Sequence, residues 1–226
     1  MIYANTEAAT FISRPNRFIA NVEVDSKPET AHVKNTGRCK ELLVPSAKVI
    51  LQKFDDTKRK TAYDLIAVYK GDRLINMDSQ APNKAFLEYL KSGRHIDGIT
   101  LIKPEARCGG SRFDFYIEAG ERKIFIEVKG VTLEEDGVVL FPDAPTDRGV
   151  KHLNELAQCV KDGYEAHVIF VIQMSEVRYF TPNNKMHPAF GEALVTAEKA
   201  GVKIFAIDCV VTENSITIGK PVAIKL

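Results

Sequence analysis

Two cadences in one chain predict a mixed α+β (α/β) protein of two parts. Residues 1–80 read as a small five-stranded β-barrel of the oligonucleotide-binding type, and residues 81–226 as an α/β domain with a mixed central sheet. Short strand-like runs at close intervals give the first part. A switch from Ala81 to alternating helical and apolar strand patterns gives the second. The most specific signal is a hairpin between Arg112 and Lys129 that carries charged residues on one face.

In the first part the expected strands are Phe18 to Val24, Thr30 to Lys34, Lys48 to Phe54, Ala62 to Tyr69 and Leu74 to Met77. They are punctuated by Asp25-Ser26-Lys27-Pro28, Asn35-Thr36-Gly37, Asp55-Asp56 and Gly71-Asp72, residue types that favour turns. Arg14, Arg17, Lys34, Arg38, Lys40, Lys58, Arg59 and Lys60 fall in or beside these loops, where they could meet phosphates. The plainer reading is that loop cations keep a barrel soluble. Aromatic residues able to stack on bases are sparse here.

In the second part, Pro82-Asn83 opens a helix through Phe86, Leu87 and Leu90 that ends near Gly93. Ile99 to Ile102 is a strand leading to Glu105, and the hairpin follows. Val138 to Phe141 is a further strand, and Pro145-Thr146-Asp147 starts a helix with Val150, Leu153, Ala157 and Val160 on one stripe. That helix presents Arg148, His152 and Glu155 opposite the stripe, either as an exposed face or as groups leaning over the hairpin. His167 to Gln173 and Lys203 to Val211 are buried strands, separated by a helix from Pro188 to Ala200 that Gly201 closes.

The hairpin register follows from its turn. Gly120-Glu121 fits a two-residue type II′ loop, because glycine supplies the positive φ at the first central position. Phe113 then faces Val128, Phe115 faces Ile126 and Ile117 faces Ile124, which makes one face continuously apolar. The other face sets Arg112, Asp114 and Tyr116 against Lys129, Glu127 and Phe125. Opposed Cβ atoms lie roughly 4.5–5.5 Å apart, so Asp114 and Glu127 could converge on one divalent cation with Lys129 beside them. The bland alternative is a solvated face with a cross-strand ion pair.

Composition narrows the classes. With 226 residues, 45% hydrophobic and 27% charged, the chain is ordinary for a globular protein and long enough for one large domain or two small ones. A net charge of +1 neither suggests nor excludes a polyanion partner. The N-terminus lacks a basic segment followed by an apolar run, and nothing reaches the length of a membrane span, so a soluble cytoplasmic protein without a membrane partner is expected. Cys39, Cys108, Cys159 and Cys209 are scattered without zinc-site spacing and read as reduced thiols.

The segments GGSRFDFYI, FIEVKGVTL and FPDAPTDRGVKHLNEL, with HVKNTGR nearer the N-terminus, resemble the sugar fermentation stimulation protein A family over essentially the whole chain. The resemblance implies an oligonucleotide-binding barrel joined to a restriction-endonuclease-like PD-(D/E)XK domain, and DNA as partner. On the matching positions it implies that Asp114 and Glu127 are metal-binding carboxylates and Lys129 the signature lysine. Glu105 is similar to the family's acid on the strand before the hairpin, and Arg148 and His152 fall in its Asp/Glu-Arg-Gly-X-Lys-His stretch. Val33-Lys34 stands where the family often has Cys-Pro, and Phe113-Asp114 where the superfamily name has Pro-Asp.

The chemistry implied is phosphodiester hydrolysis with Mg²⁺ or Mn²⁺ held by Asp114, Glu127 and the Val128 carbonyl. Lys129 would orient or deprotonate the attacking water, and Glu105 would help hold that water or a second metal. Arg112, Arg148 and His152 would face the phosphate. The alternative is a non-catalytic DNA-binding regulator of sugar (maltose-type) metabolism on the same fold. RNA as the polyanion and the oligomeric state, dimer included, stay open.

Overall fold

A computed structural model describes residues 1–35 and 37–226; Thr36, in the turn expected at Asn35-Thr36-Gly37, lies outside the described residues. The first part comprises β1 (Thr6–Asn16), β2 (Ile19–Val24), β3 (Lys27–Val33), β4 (Lys48–Lys53), β5 (Tyr63–Lys70) and β6 (Arg73–Asn76). Their order is β3-β2-β1-β4-β5-β6, and a parallel pairing of Ala31, His32 and Val33 with Tyr63, Asp64 and Leu65 closes β1–β5 into a five-stranded barrel.

Closure uses a strand the sequence hides. β1 reads TEAATFISRPN, in which Ala9 and Phe11 alone are buried; small residues and Pro15 mask its alternation. The expected fifth strand, Leu74 to Met77, corresponds instead to β6, which extends β5 as a hairpin outside the closed ring.

The second part runs α1 (Ala81–Lys91), β7 (Ile99–Cys108), β8 (Ser111–Ala119), β9 (Arg122–Val131), β10 (Leu133–Glu135), β11 (Val138–Phe141), α2 (Asp147–Lys161), β12 (Glu165–Ile172), β13 (Tyr179–Pro182), α3 (Pro188–Lys199), β14 (Lys203–Thr212) and β15 (Ser215–Pro221). The main sheet has the order β15-β14-β12-β9-β8-β7, and a small sheet joins β10, β11 and β13. Strands β9, β12 and β14 are parallel, as α2 and α3 crossovers require, while β7, β8 and β15 join antiparallel. β12 is buried from Ala166 to Ile172, which is why Val168 to Ile172 read as an unbroken apolar run. Short β10 and β13 and polar β15 carry no such signal.

Phe86 of α1 packs on Phe115 on one face of the main sheet. Leu153 and Leu156 of α2, with Phe190 and Leu194 of α3, join Phe170 in the cluster on the other face. That cluster continues into the barrel interior through Phe11, Val22, Leu51 and Leu65. The linker after β6 begins buried, with Met77 and Asp78 fully covered, and surfaces at Ser79 and Gln80. Gln173 Nε2 donates to the Asn76 and Asp78 carbonyls at 3.1 Å each, and Lys34 Nζ lies 2.7 Å from Asp78 Oδ2. Among the described residues, no helix is long and apolar enough to cross a membrane.

Candidate functional site

The hairpin turn has φ +61° at Gly120 and no positive φ at Glu121, and Phe115, Tyr116 and Ile117 pair with Ile126, Phe125 and Ile124 as expected. Above Phe115 the ladder stops. Asp114 Oδ2 instead accepts the Val128 N–H at 2.7 Å, and its Oδ1 accepts Asn83 Nδ2 of α1 at 2.7 Å. A side chain has taken the place of a strand carbonyl.

The expected single apolar face therefore fails at its upper end. Phe115 joins the α1-side cluster, whereas Phe113, two residues earlier, packs with Phe125 and His152 on the α2 side. Strict alternation would put both on one face, so β8 turns about its axis between them. The neighbouring strand shows the same disturbance: pairs 104–115 and 106–113 flank Glu105, which has φ +54°. Asp114 and Glu127 are consequently not ladder partners; they approach because Asp114 is drawn to the Val128 amide.

Glu127 is 4% exposed and points to the α2 face. Its Oε1 lies 2.6 Å from Lys129 Nζ and also contacts His152 Nδ1. Arg148 Nε donates to His152 Nε2 at 3.3 Å. With Nε2 accepting, the proton of a neutral ring sits on Nδ1 and is donated to Glu127. Burial would push the Glu127 carboxyl up, but the His152 hydrogen bond and the Lys129 ammonium outweigh it and hold it below the usual range. Asp114 behaves oppositely: burial, then the Glu127 charge, push its carboxyl up, only partly offset by the Val128 and Asn83 hydrogen bonds.

Helix α2 supplies two of these groups. Thr146 caps it by accepting the Gly149 N–H at 3.0 Å, and a Cβ at Gly149 would come within 2.9 Å of the Thr146 side chain. Of the Arg148, His152 and Glu155 face, His152 and Glu155 turn inward, since His152 is 5% exposed and Glu155 Oε2 is buried without a partner among the described residues, while Arg148 at the start of the helix is exposed. Beside β9, a cleft of about 330 Å³ lined by Asn35, Ser79, Gly130, Asp143 and Thr146 separates the barrel from the start of α2.

Asp114, Glu127, Lys129, His152 and Arg148 are thus connected, with Val128 bridging through its amide. Glu105 is not: its side chain is 71% exposed and lies 3.4 Å from exposed Arg112, because the positive φ turns it off the strand face. Among the described residues, no three Asp, Glu, His or Cys side chains converge as a metal-ligand set. The two acids still suit a hard cation. Glu127 is buried and Asp114 half-buried, the charge of Glu127 raises the Asp114 pKa, and Glu127 Oε2 takes no hydrogen bond among the described residues.

Several expected phosphate contacts are otherwise engaged. Arg14 donates to the carbonyls of Arg17, Asn35, Gly37 and Arg38, lacing a loop together. Lys34 is paired with Asp78, and Arg59 pairs with Asp64 while covering the Phe54 ring at 3.9 Å. Arg17, Arg38, Lys40, Lys58 and Lys60 are exposed. Asn83 was missed by sequence reasoning. Its one signal is a polar residue directly after the helix-opening Pro82.

Comparison with known proteins decides the family. Residues 12–77 match the model described as the SfsA N-terminal OB domain, and residues 80–215 match the sugar fermentation stimulation protein RE domain. Sugar fermentation stimulation protein homologs of Desulfitobacterium hafniense strain Y51 and Ruminiclostridium cellulolyticum are 62% and 58% identical over 226 residues, covering 100% of this chain and 99% and 100% of theirs. The chain belongs to the sugar fermentation stimulation protein family. A solved structure, described as Pyrococcus furiosus SfsA in complex with Ca2+, superposes with a TM-score of 0.88 at 29% identity, covering 100% of this chain and 98% of that one. Between the two family matches lie buried Asp78 and exposed Ser79, so this sugar fermentation stimulation family member joins its barrel and its second domain through chain that Asp78 anchors.

Proposed function

We propose that this protein binds DNA and hydrolyses phosphodiester bonds in a Mg²⁺- or Mn²⁺-dependent reaction at Asp114, Glu127 and Lys129. The observation that carries the reading is a buried carboxylate, Glu127, beside a half-buried one, Asp114, whose pKa it helps to raise, with Lys129 on the same strand as Glu127. Supporting it, the archaeal relative is described as a Ca2+ complex.

Asp114, Glu127 and the Val128 carbonyl would hold the cation. When bound, it supplies Lewis-acid polarisation of the phosphoryl group and acidifies a bound water. Lys129 donates hydrogen bonds that orient the attacking water. Asn83 fixes the Asp114 carboxylate by its 2.7 Å hydrogen bond. Arg148, exposed in the first turn of α2, adds its charge to the partial positive charge of the helix N-terminus and so favours a phosphate there. His152 keeps Glu127 ionised and oriented. Exposed Arg17, Arg38, Lys40, Lys58 and Lys60 offer phosphate contacts on the barrel.

One observation favours a second reading, a non-catalytic DNA-binding regulator of sugar metabolism. Lys129 and His152 are both committed to Glu127 Oε1, a set of charges that is satisfied as it stands. A Mg²⁺ and Mn²⁺ titration of wild type, Asp114→Asn and Lys129→Ala, scoring cleavage and binding on mixed DNA and RNA substrates, separates the two. Cleavage by wild type that both variants lose supports the nuclease. Undiminished cleavage by both variants marks a contaminant and sinks it, while metal-independent, salt-sensitive binding without cleavage supports the regulator.

A further inference from the structure

Cys108 and Cys159 lie outside the site described above, yet their Sγ atoms are 2.9 Å apart although the residues are 51 positions apart in sequence. Cys108 ends β7 and pairs with Ser111 across the Gly109-Gly110 turn, where Gly109 has φ +57°. That turn rests on α2: a Cβ at Gly110 would come 3.1 Å from Glu155 Oε1. Cys159 is on α2, seven residues beyond His152 and therefore on the same helix face, 2% exposed. A disulfide has an S–S distance of about 2.05 Å, so closure needs only about 1 Å of movement, beside a glycine pair able to supply it.

The two sulfurs differ in access. Cys108 is partly exposed and Cys159 is buried. Burial, and then the Cys108 sulfur, push the Cys159 thiol up, so it keeps its proton and directs it at Cys108. Cys39 and Cys209 are buried and have no sulfur neighbour among the described residues.

We propose that Cys108 and Cys159 form a redox modification site, oxidised to an intramolecular disulfide by low-molecular-weight disulfides of the glutathione class. The Cys108 thiolate attacks one sulfur of the small disulfide, making a mixed disulfide and releasing one thiolate. Cys159 then loses its proton and attacks the Cys108 sulfur, expelling the second thiolate. Two protein thiols are oxidised, one small disulfide is reduced to two thiols, and the two protons end on those thiols. The bond ties the β7–β8 turn to α2, the helix that carries His152 onto Glu127, and closes a long loop that restricts the unfolded chain.

The test treats reduced, full-length protein with glutathione disulfide, followed by intact mass, non-reducing peptide mapping and a thermal melt. Wild type is expected to lose two hydrogens, retain no glutathione, yield a cross-linked peptide pair containing Cys108 and Cys159, and melt several degrees higher until dithiothreitol reverses the change. Cys159→Ala is expected to trap one glutathione on Cys108, and Cys108→Ser to leave Cys159 unmodified. Should a variant fail to fold, the wild-type peptide map decides by itself. Free Cys108 and Cys159 after excess oxidant, glutathione stably retained on wild-type Cys108, or linkage through another pair or between chains would each overturn the proposal.

Discussion

Glu134→Gln tests how the barrel is held to the second domain. Glu134, on β10, is 4% exposed and lies 2.7 Å from Lys70 Nζ and 2.6 Å from Arg73 Nη1, both from the β5–β6 hairpin; it also accepts the Gly137 N–H. Burial alone would raise its carboxyl, but these partners hold it at about 2, against an ordinary 4.5. Because one pH unit corresponds to about 1.4 kcal/mol, the ionised form is favoured by roughly 3 kcal/mol in the folded state. Lys70 and Arg73 are 35% and 26% exposed, so solvent screening brings the expected loss in Glu134→Gln to about 2–3 kcal/mol. For a chain of this length that is a fall in Tm of about 4–12 °C. A depressed folded-state pKa contributes stability that is complete above the unfolded value and lost as pH falls toward the folded one. The gap between wild type and variant should therefore shrink steadily below about pH 4.5. Urea titrations followed by far-UV circular dichroism at several pH values read it directly. A gap below about 0.5 kcal/mol at neutral pH, or one that stays constant from about pH 5 to about pH 3, would refute the assignment.

Gly130→Ala places a Cβ 2.6 Å from Gln173 Oε1 and 2.8 Å from Pro82 Cγ, so urea titration should show a loss of about 1–3 kcal/mol. Arg14→Ala should lower stability by about 2 kcal/mol, because four backbone carbonyls lose a charged donor, whereas exposed Arg38→Ala should stay within about 0.5 kcal/mol. Equal melting temperatures for these two variants would contradict the bracing role. Asn83→Ala removes a donor that lowers the Asp114 pKa, so the Asp114 carboxyl should titrate higher by carbon-detected NMR. A lower or unchanged value would show that Asn83 does not stabilise the ionised form.

Much of the fold was legible wherever periodicity was strong. The hairpin turn, β12, α2 and α3 follow from glycine conformations, apolar runs and caps that act over a few residues. β1, β13 and β15 were not legible: small residues and Pro15 mask the alternation of β1, β15 is largely polar, and short β13 takes its place only by pairing with distant β11. The Asp114, Glu127 and Lys129 grouping was visible as a pattern. Its geometry was not, since alternation alone would make Asp114 and Glu127 ladder partners and keep Phe113 with Phe115. Glu105 read as a strand acid, but it stands at positive φ on the edge strand β7 and its side chain lies in solvent.

By itself the sequence determined the two-part architecture, the hairpin register from Phe115 to Ala119 and the family, each carried by local pattern or by matched segments. Tertiary structure alone decided which charges are spent and which are free. Arg14, Lys34 and Arg59 are consumed within the fold, His152 is buried against Glu127, Asn83 is brought to Asp114, and two cysteines far apart in sequence are brought into contact. The physical reason is that local conformation depends on neighbours within a few residues. The state of a charged or polar side chain depends on which distant group removes water from it and supplies its hydrogen bond.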